Sequence, residues 1–407
     1  MNNISDGRGV STCTGCGACV TVCPKDSIDY GENKFGFLEA FVDYKKCIDC
    51  GKCKKVCLKY IDRGSIGKPL QEGKLYAAVS ANEDVVREST SGGIAYEIAR
   101  YGIVSGYIVV GVVFDYKKCR VKTVTATSLS DIEKFKGSKY LQSYTIPCFK
   151  EIIERAKSHE ESKYIVFGTP CQITGLRKAF TEQGLKNELI TIDLFCHGVP
   201  SYITWNKYLD WLKEKHGINN IIDIKFRSKV NDWHEYIMEI ESERLKYRSP
   251  SECDLFYKAF FDNILLNTAC SKCVVRKHVS AADMRLGDFW GKKYLDNRSG
   301  VSAVLILSNA GQSLFSRMVD MNMVKIIEET RADECLSSQS IHDYPYQEIH
   351  NKAILMLNEQ IDLKSLIRKY RKWLPAKYRI VTALKEITGY MPSSIRIKLK
   401  KFYRKLS

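Results

Sequence analysis

The sequence has no apolar stretch long enough to cross a bilayer, which takes about 20 residues. Its longest apolar run, IVSGYIVVGVVF at 103–114, predicts a buried strand instead. The opening residues, MNNISDGRGV, contain no apolar core of the kind that a signal peptide needs. We therefore expect the sixteen cysteines to work in a reducing cytoplasm, where thiols bind metal or carry redox chemistry rather than form a disulfide scaffold.

The dinucleotide fingerprint G-x-G-x-x-G is also missing, so an ordinary Rossmann nucleotide site is not predicted. Acidic residues are scarce in one region only. Residues 364–407 contain 14 Lys or Arg against one acid, Glu386, which gives this tail a charge of +13. The other 363 residues carry only +3 of the net +16, so the body is nearly neutral and nucleic-acid binding is not predicted.

What the sequence does contain is cysteine in two matched runs, CTGCGACVTVC at 13–23 and CIDCGKCKKVC at 47–57. Each has the bacterial ferredoxin spacing, in which three thiolates surround one 4Fe–4S cluster and the fourth binds the other cluster. The spacing assigns the first cluster to Cys13, Cys16, Cys19 and Cys57. It assigns the second cluster to Cys47, Cys50, Cys53 and Cys23. A pair of zinc knuckles is the alternative, although zinc sites favour two separated C-x2-C pairs.

The body of the chain has the pattern of an α/β protein. The segment STSGG at 89–93 precedes an amphipathic helical pattern, and free N–H groups at a helix start can bind a phosphate. A capped turn without a ligand is the alternative interpretation. Two later segments, KYIVFGTPCQITGL at 163–176 and ELITIDLFCHGVPS at 188–201, each predict a strand, a loop and a helix. Such units place parallel strands side by side, with the loops after both strands in one crevice.

That crevice would bring several thiols together. The two loops contribute Cys171, Gln172, Cys196 and His197. A further C-x2-C pair, Cys270 and Cys273, would alone be a zinc half-site or an ordinary turn. With Cys171 and Cys196 it completes four thiolates, a set that suits zinc or iron–sulfur, and the upstream runs favour a third 4Fe–4S cluster.

The tail is predicted to be helical. Leu363, Leu366, Ile367, Tyr370 and Trp373 repeat at helical spacing before Pro375. A last helix over 391–407 would place its apolar side chains on one face, namely Ile395, Leu399, Phe402 and Leu406. Lys and Arg surround that face. This helix could dock onto the protein's own core, lie on an anionic membrane surface at the periphery, or steer an acidic partner such as ferredoxin.

The ordered motifs STSGG, GSKYLQS (137–143), GTPCQITGL (168–176), CHGVP (196–200), the C-x2-C pair and LGDFW (286–290) resemble the family of coenzyme F420 hydrogenase/dehydrogenase beta subunits. That family includes the plant hydroxymethyl chlorophyll a reductase. The resemblance implies an α/β (α+β) flavoprotein core that binds FAD, preceded by a two-cluster ferredoxin-like domain and followed by a helical tail. The predicted domains are 1–65, 74–160, 161–349 and 350–407.

The resemblance also implies site residues. The core cluster falls on Cys171, Cys196, Cys270 and Cys273. The flavin site falls on Ser91, Gly92, Gly93, Gly137, Ser138, Lys139 and Tyr140. Lys139 suits this place, since a fixed cation stabilises a reduced flavin.

The predicted function is an oxidoreductase that passes electrons from ferredoxin, through 4Fe–4S clusters, to FAD and on to a small organic substrate. His197, Asp288 and His278 are the candidate proton donors, with His197 preferred, and a purely structural histidine is the alternative. Two other functions stay open. One is an enzyme that uses coenzyme F420 as its hydride partner, and the other is an electron-transfer subunit of a larger complex.

Overall fold

The structure is a computed structural model that describes residues 2–5, 13–339 and 343–406. The side chains of 63 and 403–407 lie outside the described part. The predicted place of Leu406 on the apolar face of the last helix therefore falls outside it too.

The strands are β1 Ile28–Glu32, β2 Leu38–Val42, β3 Lys68–Pro69, β4 Lys74–Ser80, β5 Ile108–Asp115, β6 Arg120–Ala126, β7 Tyr164–Phe167, β8 Leu189–Leu194, β9 Ile221–Ser228, β10 Ile237–Ser242, β11 Lys246–Pro250, β12 Val279–Ser280, β13 Met284–Asp288, β14 Ser302–Ile306 and β15 Val324–Arg331. The helices are α1 Ala18–Thr21, α2 Lys52–Lys55, α3 Glu83–Glu88, α4 Ile94–Val104, α5 Leu129–Glu133, α6 Cys148–Ser158, α7 Pro170–Glu182, α8 Tyr202–His216, α9 Leu255–Phe261, α10 Thr268–Ser271, α11 Val274–Lys277, α12 Asn309–Asp320, α13 Ala332–Leu336, α14 Gln347–Leu355, α15 Leu363–Arg371, α16 Ala376–Gly389 and α17 Ser393–Leu406.

The two cysteine runs form a ferredoxin-like region with matched halves. In each run a short helix, α1 or α2, begins directly after a glycine in the left-handed conformation, Gly17 (φ 78°) or Gly51 (φ 75°). A side chain at these positions would be strained, because left-handed backbone is costly for residues with a Cβ. Antiparallel strands β1 and β2 lie between the two runs.

An eight-stranded sheet in the order β15-β4-β14-β13-β8-β7-β5-β6 forms the centre of a mixed α/β body. Within it, β5, β7, β8 and β13 run parallel to one another, and β7 pairs directly with β8, as the repeated strand–loop–helix pattern predicts. The predicted strand at 103–114 differs in its start: α4 continues to Val104, and β5 begins at Ile108. The loops after β7, β8 and β13 therefore meet at one edge of the sheet.

A second sheet, β11-β10-β9, packs with helices α8, α9 and α15 around buried aromatic rings. The predicted tail helix is α15, and its apolar residues Leu363, Leu366, Ile367 and Tyr370 are all buried in this layer. The Tyr370 hydroxyl donates to Asp262 Oδ2 at 2.8 Å. The segment between the ferredoxin-like region and the large sheet is held in place, because β3 pairs with β12.

Helix α17 packs differently from the predicted orientation. Ile397 is buried, whereas Ile395 and Phe402, which were expected on the docking face, are exposed. Ion pairs set this rotation, since Arg396 contacts Glu235 at 2.8 Å and Lys400 contacts Glu252 at 2.7 Å. Among the described residues, no helix combines the length and the apolar character that crossing a membrane requires.

Candidate functional site

Four cysteines from the N-terminal runs line one cavity of about 960 Å³ beside α1. These residues, the first thiol set, are Cys13, Cys16, Cys19 and Cys57. Burial, and after it the neighbouring Cys16 thiolate, raises the pKa of Cys57 to about 12. Bound iron would reverse this effect, because a metal stabilises the thiolate form of its ligands.

The other four cysteines of the runs line a separate cavity of about 20 Å³. This second thiol set is Cys23, Cys47, Cys50 and Cys53. The backbone N–H of Ser27 donates to Cys23 Sγ at 3.3 Å, as N–H groups do around iron–sulfur clusters. The two sets are neighbours. The pKa of Cys19 is raised first by burial, then by the thiolates of the first set, and then by the Cys53 thiolate of the second set.

A third group, the core thiol set, gathers at the sheet edge and consists of Cys171, Cys196, Cys270 and Cys273. Burial raises the pKa of each thiol, to about 11 for Cys196. The Cys273 thiolate contributes to the raised pKa values of the other three, so the four thiols are near enough to interact electrostatically. Among the residues with described positions, no group of Cys, His, Asp or Glu side chains is arranged to hold a single metal ion.

Two buried arginines, neither of them predicted from the sequence, accompany the core thiol set. Arg276 and Arg285 each lower the pKa values of Cys196 and Cys273. Arg285 is fully buried and forms a bidentate pair with Asp193, at 2.7 and 2.6 Å. Positive charge beside four buried thiols fits the net negative charge of a thiolate-bound cluster. For Arg285 the sequence held a signal, because it lies between Met284 and Leu286 in a strand, where a buried arginine is unusual.

The core and first thiol sets lie next to each other. Cys171 lies in the first turn of α7, and α7 packs against α1 of the ferredoxin-like region. Apart from burial, the Cys16 thiolate is the largest influence that raises the pKa of Cys171. Cys273 also lines the cavity of the first thiol set.

A third cavity, of about 390 Å³, opens at the carboxyl ends of the parallel strands, and we call it the sheet-edge cavity. Its volume is in the range of small-molecule and cofactor sites. The sequence-predicted residues that line it are Ser91, Gly93, Gly137, Ser138, Lys139, Tyr140, Gln172, Cys196, His197 and Asp288. Gly92 lies behind the lining: its N–H donates to Ser302 Oγ at 3.0 Å, and a Cβ would stand 2.6 Å from the Ala78 carbonyl oxygen.

Lys139 lines this cavity, but its ammonium group is occupied by its own loop. Nζ donates to the carbonyl oxygens of Lys134, Phe135 and Lys136 at 3.2, 2.9 and 2.8 Å. Burial lowers the pKa of Lys139 to about 7. The side chain therefore shapes the loop that forms this wall.

His197 packs its ring against Phe260, with 4.9 Å between the ring centroids. Burial lowers the pKa of His197 to about 4, and the positive charge of Arg276 lowers it further. Its Nε2 atom is buried and makes no hydrogen bond of normal geometry with the described residues, although Asn263 lies close enough to oppose the fall in pKa. The other histidine candidate, His278, is exposed and does not line the cavity.

Asp288 is held by an arginine that the sequence analysis also missed. Arg227 Nη1 donates to Asp288 Oδ2 at 2.5 Å, and Trp233 Nε1 donates to Asp288 Oδ1 at 2.8 Å. The Arg227 guanidinium stacks over the ring of Tyr236, 4.3 Å from its centroid. Its Nε atom is buried without a hydrogen-bond partner among the described residues. Two unpaired nitrogens at this cavity, Arg227 Nε and His197 Nε2, fit a site that binds a polar ligand.

Lys229 braces the STSGG loop from behind. Its Nζ donates to the carbonyl oxygens of Val86 and Ser91, at 2.6 and 2.9 Å, and also to that of Ser299. Gly93 then begins α4 in the left-handed conformation (φ 86°). The loop is thus fixed with the N-terminus of an eleven-residue helix beside the cavity, where free N–H groups favour an anion.

Three family models match parts of this chain. Two family models describe the beta subunit of coenzyme F420 hydrogenase/dehydrogenase: the model of its N-terminal part matches residues 75–149, and the model of its C terminus matches residues 161–332. Residues 12–61 match the 4Fe–4S dicluster domain.

Individual relatives are distant. An uncharacterised protein of Methanocaldococcus jannaschii is 25% identical over 342 residues, which cover 75% of this chain and 86% of that protein. The F subunit of the F420H2 dehydrogenase of Methanosarcina mazei is 24% identical over 193 residues, covering 45% of this chain and 53% of that protein. A 7Fe ferredoxin of Hydrogenibacillus schlegelii is 45% identical over 40 residues, covering 10% of this chain and 45% of the ferredoxin. Among solved structures, a chain of the F420-reducing [NiFe] hydrogenase complex from Methanosarcina barkeri has a TM-score of 0.48 and 20% identity, over 71% of this chain and 96% of that one.

Proposed function

The chain belongs to the family of coenzyme F420 hydrogenase/dehydrogenase beta subunits, with a 4Fe–4S dicluster domain ahead of the family core, and we propose that it is an electron-transferring subunit of a redox complex. One observation carries the proposal: the thiol sets form an unbroken series that ends at a cavity. The Cys53 thiolate of the second set acts electrostatically on Cys19 of the first, and the Cys16 thiolate of the first acts on Cys171 of the core set. Cys196 of the core set lines the sheet-edge cavity.

The proposal places a 4Fe–4S cluster on each of the two N-terminal thiol sets, a third on the core set, and FAD in the sheet-edge cavity. When bound, the clusters would carry electrons one at a time. The flavin would link this one-electron transfer to the two-electron reduction of an organic molecule. The residues present fit these groups. Arg276 and Arg285 offset the negative charge of the core thiolates, and the STSGG loop presents helix N–H groups to an anion.

Inside the sheet-edge cavity, the residues of the chain orient a ligand and exclude water. Phe260, Phe167 and Phe135 supply apolar walls. The buried nitrogens His197 Nε2 and Arg227 Nε lack partners among the described residues and would gain them from a polar ligand. Asp288 fixes the guanidinium plane of Arg227, so this wall is preorganised before the ligand arrives.

The cavity also supports a second function, in which the chain itself transfers electrons between ferredoxin and a small organic molecule in the cytoplasm. Coenzyme F420 is one such molecule, and the name of the family contains it. The two functions differ in whether a second protein is needed to bind the acceptor.

The test uses the holoprotein purified without oxygen, with iron and flavin counted per chain. Mixing it with reduced ferredoxin in a stopped-flow instrument should reduce the clusters before any bound flavin. Cys270→Ser should retain the N-terminal clusters and block reduction of the flavin. Cys119→Ser, which alters a thiol outside the three sets, should leave reduction of the flavin unchanged. Flavin reduction at an unchanged rate in Cys270→Ser would contradict the proposed path. Turnover of F420 by the isolated chain would favour the second function.

A further inference from the structure

Helix α16 is attached to the protein by its polar face. The Tyr378 hydroxyl donates to Asp262 Oδ1 at 2.9 Å, and Glu386 accepts from Arg371 and Lys258. At the C-terminal end of the helix, a Cβ on Gly389 would stand 2.5 Å from Cys253 Sγ, so this face lies close against the body. Tyr378, Glu386 and Gly389 recur at intervals of eight and three residues, which keeps them on one side of a helix with about 3.6 residues per turn.

The opposite face of α16 is apolar and exposed. The exposed fractions of Ile380, Leu384 and Ile387 are 59%, 55% and 58%, and Val381 beside them is also exposed. These residues recur at intervals of four and three, so they form one stripe along the helix. A helix on a globular surface normally turns such a stripe inward, and a contiguous exposed apolar surface marks an interaction site.

Positive charge surrounds this stripe. Lys377, Arg379 and Lys385 are exposed, and none has an ion-pair partner among the described residues. Glu386, which is the one acid within 364–407, is turned toward Arg371 and Lys258. By contrast, three cations of α17 are paired with acids of the body: Arg396 with Glu235, Lys400 with Glu252, and Lys401 with Asp296.

We propose that α16 docks the protein onto an anionic lipid bilayer surface. The apolar stripe would enter the boundary between headgroups and acyl chains, and the surrounding cations would bind acidic headgroups, as in interfacial amphipathic helices. Both features lie on one helix whose polar face is already used to hold it to the body. This docking would determine where the protein is located, and it does not depend on the proposed electron transfer.

The test is cosedimentation of the intact holoprotein with vesicles of phosphatidylcholine and phosphatidylserine, compared with vesicles of phosphatidylcholine alone. We expect binding to the anionic vesicles only, and we expect salt to weaken it. The variant K377Q/R379Q/K385Q should bind about 100-fold more weakly, because each cation near an anionic surface strengthens binding several-fold. The variant I380E/L384E should lose binding.

The matched control is Leu355→Glu, which introduces the same charge at an apolar residue that is 64% exposed on α14, away from the stripe. This control should bind like the unaltered protein. Cluster absorbance and thermal unfolding establish that each variant is folded. Failure of the intact protein to bind anionic vesicles would overturn the proposal, as would full binding by I380E/L384E. An oligomer that dissociates in I380E/L384E, without vesicle binding by the intact protein, would assign the stripe to a protein interface instead.

Discussion

Gly175 of α7 lies directly against Cys16: an added Cβ would stand 3.1 Å from the Cys16 Sγ and 2.7 Å from the Cβ of Ala18. The glycine has no positive φ, so its role here is space rather than backbone freedom. It lets α1 and the first thiol set approach the same helix in whose first turn Cys171 lies. Close approach of the two thiol sets therefore depends on a residue that is not a cysteine.

The variant Gly175→Val is expected to push α1 away from α7. Overpacking of this kind costs about 1–3 kcal/mol, so thermal unfolding should begin at a lower temperature. Reduction by ferredoxin of the cluster proposed for the core set should slow, while the iron content of that set stays unchanged. Gly31→Val is the control, since no atom lies within 4 Å of its added Cβ. Equal electron-transfer rates in the two variants would show that the α1–α7 contact does not set the rate.

Iron analysis tests the core thiol set. Three filled 4Fe–4S sites give about twelve iron atoms per chain, and Cys270→Ser should remove about four of them. Cys119→Ser should remove none. Zinc in stoichiometric amount with about eight iron atoms would contradict the third cluster and favour a zinc site on Cys171, Cys196, Cys270 and Cys273.

The loop of Lys139 offers a test of the flavin pocket. Lys139→Met keeps the length of the side chain but removes three hydrogen bonds to carbonyl groups, so the wall of the sheet-edge cavity should become mobile. A single charge-assisted hydrogen bond is worth about 1.5–3 kcal/mol, and FAD binding should weaken roughly 10-fold or more. Lys134→Met, in an exposed side chain of the same loop, is the control. Fluorescence titration with FAD measures both, and equal affinities would mean that the flavin binds elsewhere.

The buried pair of Arg285 and Asp193 predicts a stability effect. Arg285→Met leaves the Asp193 carboxylate buried with a hydroxyl donor from Ser280 as its remaining side-chain partner among the described residues. Removing one partner of such a pair costs about 3–5 kcal/mol, so the unfolding temperature should fall sharply. The double variant R285M/D193N should recover part of this loss, because no unpaired charge is left. Strictly additive losses in the thermal unfolding of the two single variants and the double variant would contradict this coupling.

The sequence predicts the features that depend on spacing along the chain. The family resemblance and the 4Fe–4S dicluster region are confirmed, as are the parallel pairing of β7 with β8 and the apolar face of α15. Each of these rests on a short local pattern that has one structural solution. The ligand assignments and the domain boundaries stay predictions.

The features that the sequence did not predict depend on contacts between distant segments. Arg227 reaches Asp288 from β9, and Lys229 from the same segment braces the STSGG loop. The orientation of α16 also depends on contacts of this kind. Tyr378 and Glu386 hold the polar face of the helix against the body, because they pair with the buried Asp262 and the partly buried Arg371, which an apolar side chain could not satisfy.

The cavity of the first thiol set has walls from two segments that lie far apart in the chain: Cys13 and Cys19 on one side, and residues 268–275 on the other. On the ribosome, the second wall is synthesised long after the first. At the usual 5–20 residues per second, the N-terminal thiols stand open to solvent for roughly 10–50 s before Val275 emerges. Scaffold proteins that deliver iron and sulfide therefore have access to these thiols during translation, before the body of the protein closes over them.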